Sequence, residues 1–204
     1  MHFTWLGGTA IKIQAKPFDK DTVVVIDSYK PVVGNFPRSL APDIALFTKG
    51  EKNSVTLSGN PFVLSTPGEC ETKGILMTAT EGHEEEHIMV RVDAEHMSVG
   101  HLGITNKPLT DKQLEVLSGV DILCIPVGGG DSYNAEQAIK AVNSIEPRVV
   151  IPMAFKSTND PKAADVSSFL KEVGAQDVKS EKKVIFKKKD LPQEETRIVV
   201  LDKE

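Results

Sequence analysis

Asp121-Ile122-Leu123-Cys124-Ile125-Pro126-Val127-Gly128-Gly129-Gly130 decides the fold. Its apolar run from Asp121 to Val127 reads as a buried strand, and the glycines end it in a tight turn. Downstream, Asn134 stands three residues before Gln137, the spacing of a helix cap, and Ala135, Ala138, Ile139 and Val142 fall on one helical face. Val149–Met153 is again strand-like. Asp160-Pro161 is expected to open another helix, with Ala164, Phe169, Leu170 and Val173 inward and Gly174 at its end. Ile185–Lys187 and Arg197–Leu201 read as closing strands. Upstream, Thr110 and Gln113 have capping-box spacing, followed by Leu114 and Leu117.

The first half has a different period. Phe3–Leu6, Ala10–Ile13, Val23–Asp27, Ile44–Phe47, Pro61–Leu64, Ile75–Thr80, Ile88–Asp93 and Met97–Leu102 read as short strands. Gly7–Gly8 and Asp19–Asp21 are turns, and the acidic stretch Glu81–His87 is an exposed loop. Many strands followed by alternating helix and strand imply a mixed α/β sandwich, sheets inside and helices outside, rather than an all-parallel sheet.

Composition narrows the function classes. The 204 residues are expected to form a single domain over 1–204; 40% are hydrophobic and 26% charged, which excludes a mostly disordered chain. With 24 Lys plus Arg against 29 Asp plus Glu, the net charge of -5 argues against nucleic acid as the main partner. No apolar run approaches the roughly 18–20 residues of a membrane span. The start, MHFTWLGG, lacks a signal peptide's basic and apolar regions, so a cytoplasmic location is expected. The two cysteines, Cys70 and Cys124, are too few for a disulfide framework.

Three strings invite chemistry and do not sustain it. His83-Glu84-Glu85-Glu86-His87 matches the H-E-x-x-H zinc pattern, but Gly82 precedes it and the strand-like Ile88-Met89-Val90 follows, so no helix presents both imidazoles. Gly128-Gly129-Gly130-Asp131 could receive an anion, yet it lacks the Lys-Ser/Thr of a phosphate loop and reads as a strand-to-helix turn. Cys70 sits between Glu69 and Glu71, which disfavour a thiolate; Cys124 reads as a core residue. The basic block Lys182–Lys189 reads as a solvated strand edge.

Taken in order, Phe3-Thr4-Trp5-Leu6-Gly7, Val25-Ile26-Asp27, Asp43-Ile44-Ala45-Leu46-Phe47-Thr48, Pro67-Gly68-Glu69, His101-Leu102-Gly103, Asp121–Gly129 and Glu146–Met153 resemble the metallo-β-lactamase superfamily. The resemblance runs from about residue 2 to 201. It is nearest to the small Zn-dependent hydrolases that resemble L-ascorbate-6-phosphate lactonase. It implies a four-layer αββα sandwich with one or two metal ions, usually zinc, at one edge.

The residues depart from that pattern where the metal would bind. The resemblance implies H-x-H-x-D-H after Thr48. Here Lys49, Glu51 and Ser54 stand at the histidines and Asn53 at the aspartate. Ile104 replaces the bridging aspartate after His101-Leu102-Gly103, Ala154 the final histidine, and Gly8 the histidine that often follows Trp-Leu-Gly. Zinc needs about three or four imidazole, thiolate or carboxylate ligands. Ile and Ala offer no lone pair, and a lysine ammonium repels a cation.

Three readings stay open. The first is a metal-free pseudoenzyme, a binding or assembly module for a small molecule or a protein, with a Lys49–Glu51 pair in place of the metal. The second is a hydrolase of an ester, lactone or phosphoester with altered chemistry. Lys49, Glu51, Asn53, Ser54 and Glu69 would line its old pocket, with Glu51 or Glu69 as base. The third is a relocated calcium or magnesium site at Glu51, Glu69, His101 and Asp131. No cofactor is expected under the first, and a homo-oligomer is compatible with all three.

Overall fold

The computed structural model describes residues 1–37 and 40–204. The first half supplies β1 (His2–Gly7), β2 (Ala10–Ala15), β3 (Thr22–Ile26), β4 (Ile44–Leu46), β5 (Phe62–Leu64), β6 (Gly68–Thr72), β7 (Ile75–Glu81), β8 (Ile88–Ala94) and β9 (Met97–His101). The second half supplies α1 (Asp111–Leu117), β10 (Ile122–Pro126), α2 (Ala135–Ile145), β11 (Val149–Met153), α3 (Ser167–Glu172), β12 (Val184–Ile185) and β13 (Arg197–Ile198). The strands form two sheets, of order β12-β1-β2-β3-β4-β5 and β13-β11-β10-β9-β8-β7-β6.

Period-2 alternation explains the stacking. In β3, Val24 and Ile26 join the main core, while Val23 and Val25 face a smaller cluster with Leu6, Phe36 and Tyr29. The central strands β10 and β11 pair in parallel and are buried along their whole length, as expected of a strand covered on both faces. α1 packs on β7 and β8, α2 on β10, and α3 on α2. The result is the mixed α/β sandwich that the element order implies. The helices are carried by the seven-stranded sheet. The outer side of the six-stranded sheet is covered by irregular chain, through Tyr29, Phe36, Leu40 and Val55.

Both capping boxes form: Thr110 caps α1 with Gln113, and Asn134 caps α2 with Gln137. Four details differ from the sequence reading. β6 is not among the expected strands, because Gly-Glu-Cys-Glu-Thr alternates nothing apolar. α2 buries Ala138, Ala141 and Ile145, a face rotated from the expected one, and Ala135, Ile139 and Val142 lie at its margin. Asp160-Pro161 begins no helix: α3 starts at Ser167, Ala164 is exposed, and only Phe169 and Leu170 are buried. The basic block is not wholly solvated. β12 is an edge strand, but Lys188 reaches the buried Asp121 carboxylate at 2.8 and 2.9 Å.

Candidate functional site

The candidate site lies where the C-terminal ends of β1, β3, β4, β9, β10 and β11 meet. Its floor is set by hydrogen bonds between distant segments. The Gly8 carbonyl, in the β1–β2 turn, accepts from the Trp5 indole at 2.8 Å and from the Ala154 amide, just past β11, at 2.8 Å. Ala154 adopts a left-handed backbone (φ 55°), a conformation costly for a residue with a Cβ. Its carbonyl lies so close to Gly128 that a Cβ there would stand 1.9 Å away. Gly128 is therefore required for the β10 and β11 ends to approach each other, which explains the glycine turn without any ligand.

Asp27 fixes the segment after β4. Its carboxylate accepts from the Thr48 amide at 2.6 Å and from the Thr48 hydroxyl at 2.5 Å. His101, at the end of β9, is wholly buried. Its Nδ1 accepts from the Gly103 amide at 3.1 Å, so Nε2 must carry the hydrogen that it donates to the Thr9 carbonyl at 2.8 Å. Burial, above all, lowers the His101 pKa; the Asp27 charge and the Thr9 carbonyl work against that, and Lys49 adds to it. With both ring nitrogens occupied, His101 is a structural strut.

Above this floor opens a cleft of about 350 Å³. It is lined by Gly8, Lys49, Ile104, Asp131 and Ala154, together with Thr9, Tyr29, Ser132, Asn159 and Asp160. Lys49 follows directly on the Asp27–Thr48 clamp and lies 5.8 Å from the centroid of the Tyr29 ring. Tyr29 accepts a hydrogen bond from Asn159 Nδ2 at 2.9 Å, and the same Nδ2 donates to the Asn35 carbonyl at 3.1 Å. Burial pushes the Tyr29 hydroxyl up to about 12, so it stays a phenol and a donor at neutral pH.

The other sequence-derived positions do not converge here. Glu51 accepts from Ser65 at 3.1 Å and faces a separate groove of about 640 Å³ that includes Glu81 and Glu84–His87. Asn53 is a left-handed turn residue whose carbonyl receives the Lys30 amide, and the Ser54 amide returns to the Glu51 carbonyl. Glu69 lies exposed on β6 and accepts from Thr78 at 3.3 Å. Lys49 forms no ion pair with Glu51, and no ion pair at all among the described residues. The expected Lys49–Glu51 pair is corrected accordingly.

The relocated cation site is also corrected. His101 is sealed in the core, Glu51 and Glu69 point elsewhere, and no group of three or more His, Cys, Asp or Glu among the described residues is placed to hold a metal ion. The H-E-x-x-H string is a tight loop, as its flanks imply: the Gly82 amide donates to the His87 carbonyl at 2.7 Å and Glu86 is left-handed. Burial raises both thiols, Cys124 to about 12, which leaves neither poised as a nucleophile. Tyr29, Asn159 and Asp160 were missed by sequence reasoning. Only the fold brings Tyr29 and Asn159, 130 residues apart, into contact. No helix among the described residues is long and apolar enough to cross a membrane.

Comparison with known proteins agrees with this fold. Residues 2–154 match the family model of the β-lactamase superfamily domain. A UPF0173 metal-dependent hydrolase of Methanopyrus kandleri is 26% identical over 85% of this chain and 91% of its own. A candidate Zn-dependent hydrolase of the metallo-β-lactamase superfamily from Thermotoga maritima, of known crystal structure, superposes with a TM-score of 0.82 at 22% identity, covering 98% of each chain. Igni18, a metallo hydrolase from Ignicoccus hospitalis, superposes with a TM-score of 0.65 at 15% identity over 91% of this chain and 99% of its own. The family match spans most of the chain and the sandwich is shared, so this protein belongs to the metallo-β-lactamase superfamily.

Proposed function

We propose that this chain is a metal-free, non-hydrolytic member of its superfamily, a pseudoenzyme whose cleft serves as a binding or assembly module. One observation carries the reading. Four of the positions that the resemblance matches to family ligands, Lys49, Ile104, Ala154 and Gly8, line the cleft, and none of their side chains offers a metal a lone pair, Lys49 being an ammonium. The remaining carboxylates of the cleft are Asp131 and Asp160; Asp131 also borders an adjoining pocket with His83 and His87, but no group of three or more His, Cys, Asp or Glu among the described residues is placed to hold a metal ion. A zinc ion needs about four ligands, three of them from protein even in a catalytic site. This donor set does not fit such an ion, and the Lys49 ammonium places a fixed positive charge in the cleft instead.

In the superfamily's chemistry a bound metal lowers the pKa of water to make a nucleophile. Without a ligand set to hold the ion, the cleft residues cannot supply that nucleophile. Of the two bases that the sequence suggests for a hydrolase with altered chemistry, Glu51 and Glu69, neither lines the cleft, where Asp131 and Asp160 are the carboxylates that remain. The reading is tested by thermal denaturation with EDTA, zinc or manganese, alongside hydrolysis assays on lactone, phosphoester and thioester substrates. We expect midpoints within about 1 °C of each other and no metal-dependent turnover. A rise of several degrees with metal, or hydrolysis that metal restores, would overturn it.

A further inference from the structure

The cleft holds more unspent polar groups than a vestigial pocket needs. Thr9 is only 2% exposed, yet its Oγ1 is buried without a hydrogen-bond partner. Asp160 Oδ2 is likewise buried and unpartnered. Tyr29 Oη accepts from Asn159 and donates to no group among the described residues. Lys49, an exposed residue, forms no ion pair among the described residues. Buried polar atoms left without a partner are unfavourable unless a water or ligand satisfies them.

Two of these groups, Tyr29 and Asp160, converge. A methyl carbon built on Gly8 would stand 3.5 Å from Tyr29 Oη and 3.6 Å from Asp160 Oδ2. The Tyr29 phenol and the Asp160 carboxylate thus face one spot beside Gly8. The formal charges of the lining balance, with Lys30 and Lys49 against Asp131 and Asp160. A lone carboxylate would be drawn by Lys49 but repelled by Asp160, and a lone ammonium would meet the reverse. Ile104, Ala154 and Ala163 supply an apolar wall.

From this placement we infer that the cleft binds a small zwitterion of the aliphatic α-amino acid class. Its carboxylate rests on the Lys49 ammonium and the Tyr29 hydroxyl, its protonated amine on the Asp160 carboxylate, and its side chain on the Ile104–Ala154 wall. The inference rests on the metal-free reading of the same cleft.

Isothermal titration of the untagged full chain with L-alanine, L-valine and L-leucine tests it, with isobutyrate and isobutylamine as single-charge controls. We expect saturable binding of at least one amino acid with Kd below about 10 mM and no comparable binding of either control. Lys49→Met and Asp160→Asn should each weaken it at least about tenfold, with an unchanged circular dichroism spectrum. Absence of saturable binding, equal binding of isobutyrate, or full binding by both folded variants would overturn the inference. The wild-type panel decides even if a variant misfolds. Metal content measured on the same sample separates the two claims. Metal-free protein that binds no zwitterion sinks only this one, whereas near-stoichiometric metal sinks the metal-free reading itself.

Discussion

His101 illustrates how far a single residue can be read. In sequence it stands in a His-Leu-Gly string that looks chemical. In the fold it is a neutral strut, tied to a carbonyl 92 residues away, a distance over which spacing carries no information. Its pKa is held below the ordinary 6.5 by burial, Asp27 and the Thr9 carbonyl opposing and Lys49 assisting. The sign follows. As pH falls below about 6.5 the unfolded chain takes up a proton that the native chain refuses, so stability declines until the lowered native pKa is reached. His2 and His83 are lowered as well and act in the same direction. His101→Gln should cost about 1–3 kcal/mol at pH 7.5 and flatten the loss between pH 7 and 5.5, as chemical denaturation at each pH will show. Ala154 permits the opposite experiment. Its left-handed backbone carries strain that glycine relieves, so Ala154→Gly should leave stability unchanged or raise it by up to about 1 kcal/mol. A clear fall in the denaturation midpoint would show that the methyl group packs usefully.

At the scale of elements, local chemistry was legible and surroundings were not. The caps at Thr110 and Asn134 and the buried runs of β10 and β11 follow from spacing alone, because caps and apolar runs are local features. β6 escaped because an edge strand needs no apolar alternation. The late start of α3 escaped because Asp-Pro suits a turn as well as a helix start. The Asn134 cap should contribute about 1 kcal/mol, measured as the midpoint change in Asn134→Ala. Asp121 has a larger role. Its carboxylate accepts from the Ser98 amide at 2.9 Å and from Lys188 at 2.8 and 2.9 Å, joining β9, β10 and the basic block. Asp121→Ala should lose about 2–3 kcal/mol, since it orphans a buried amide and frees a partly exposed lysine. Lys188→Ala should lose less, because solvent already screens that side of the pair. Equal losses in the two variants would show that the ion pair, not the buried amide, dominates.

For the whole molecule, the ordered set of short motifs from Phe3 to Met153 located the sandwich and the edge where its strand ends converge. It did not foretell the division of the expected pocket. Lys49, Ile104, Ala154 and Asp131 share one cleft, while Glu51 belongs to another groove and Glu69 to an exposed sheet edge. Side chains at alternate positions of one loop leave in different directions, and that choice depends on Asp27, Ser65 and Lys30, none of them near in sequence. On the reading proposed above, this cleft has exchanged metal ligands for a fixed ammonium and a polar binding surface. Elemental analysis of untagged protein purified without chelator, before and after incubation with zinc and manganese, tests that claim most directly. We expect under about 0.1 metal per chain and no retained uptake, in keeping with a cleft that lacks the three or four ligands a zinc ion requires. One or two tightly held metals per chain would contradict it and return the protein to the hydrolases.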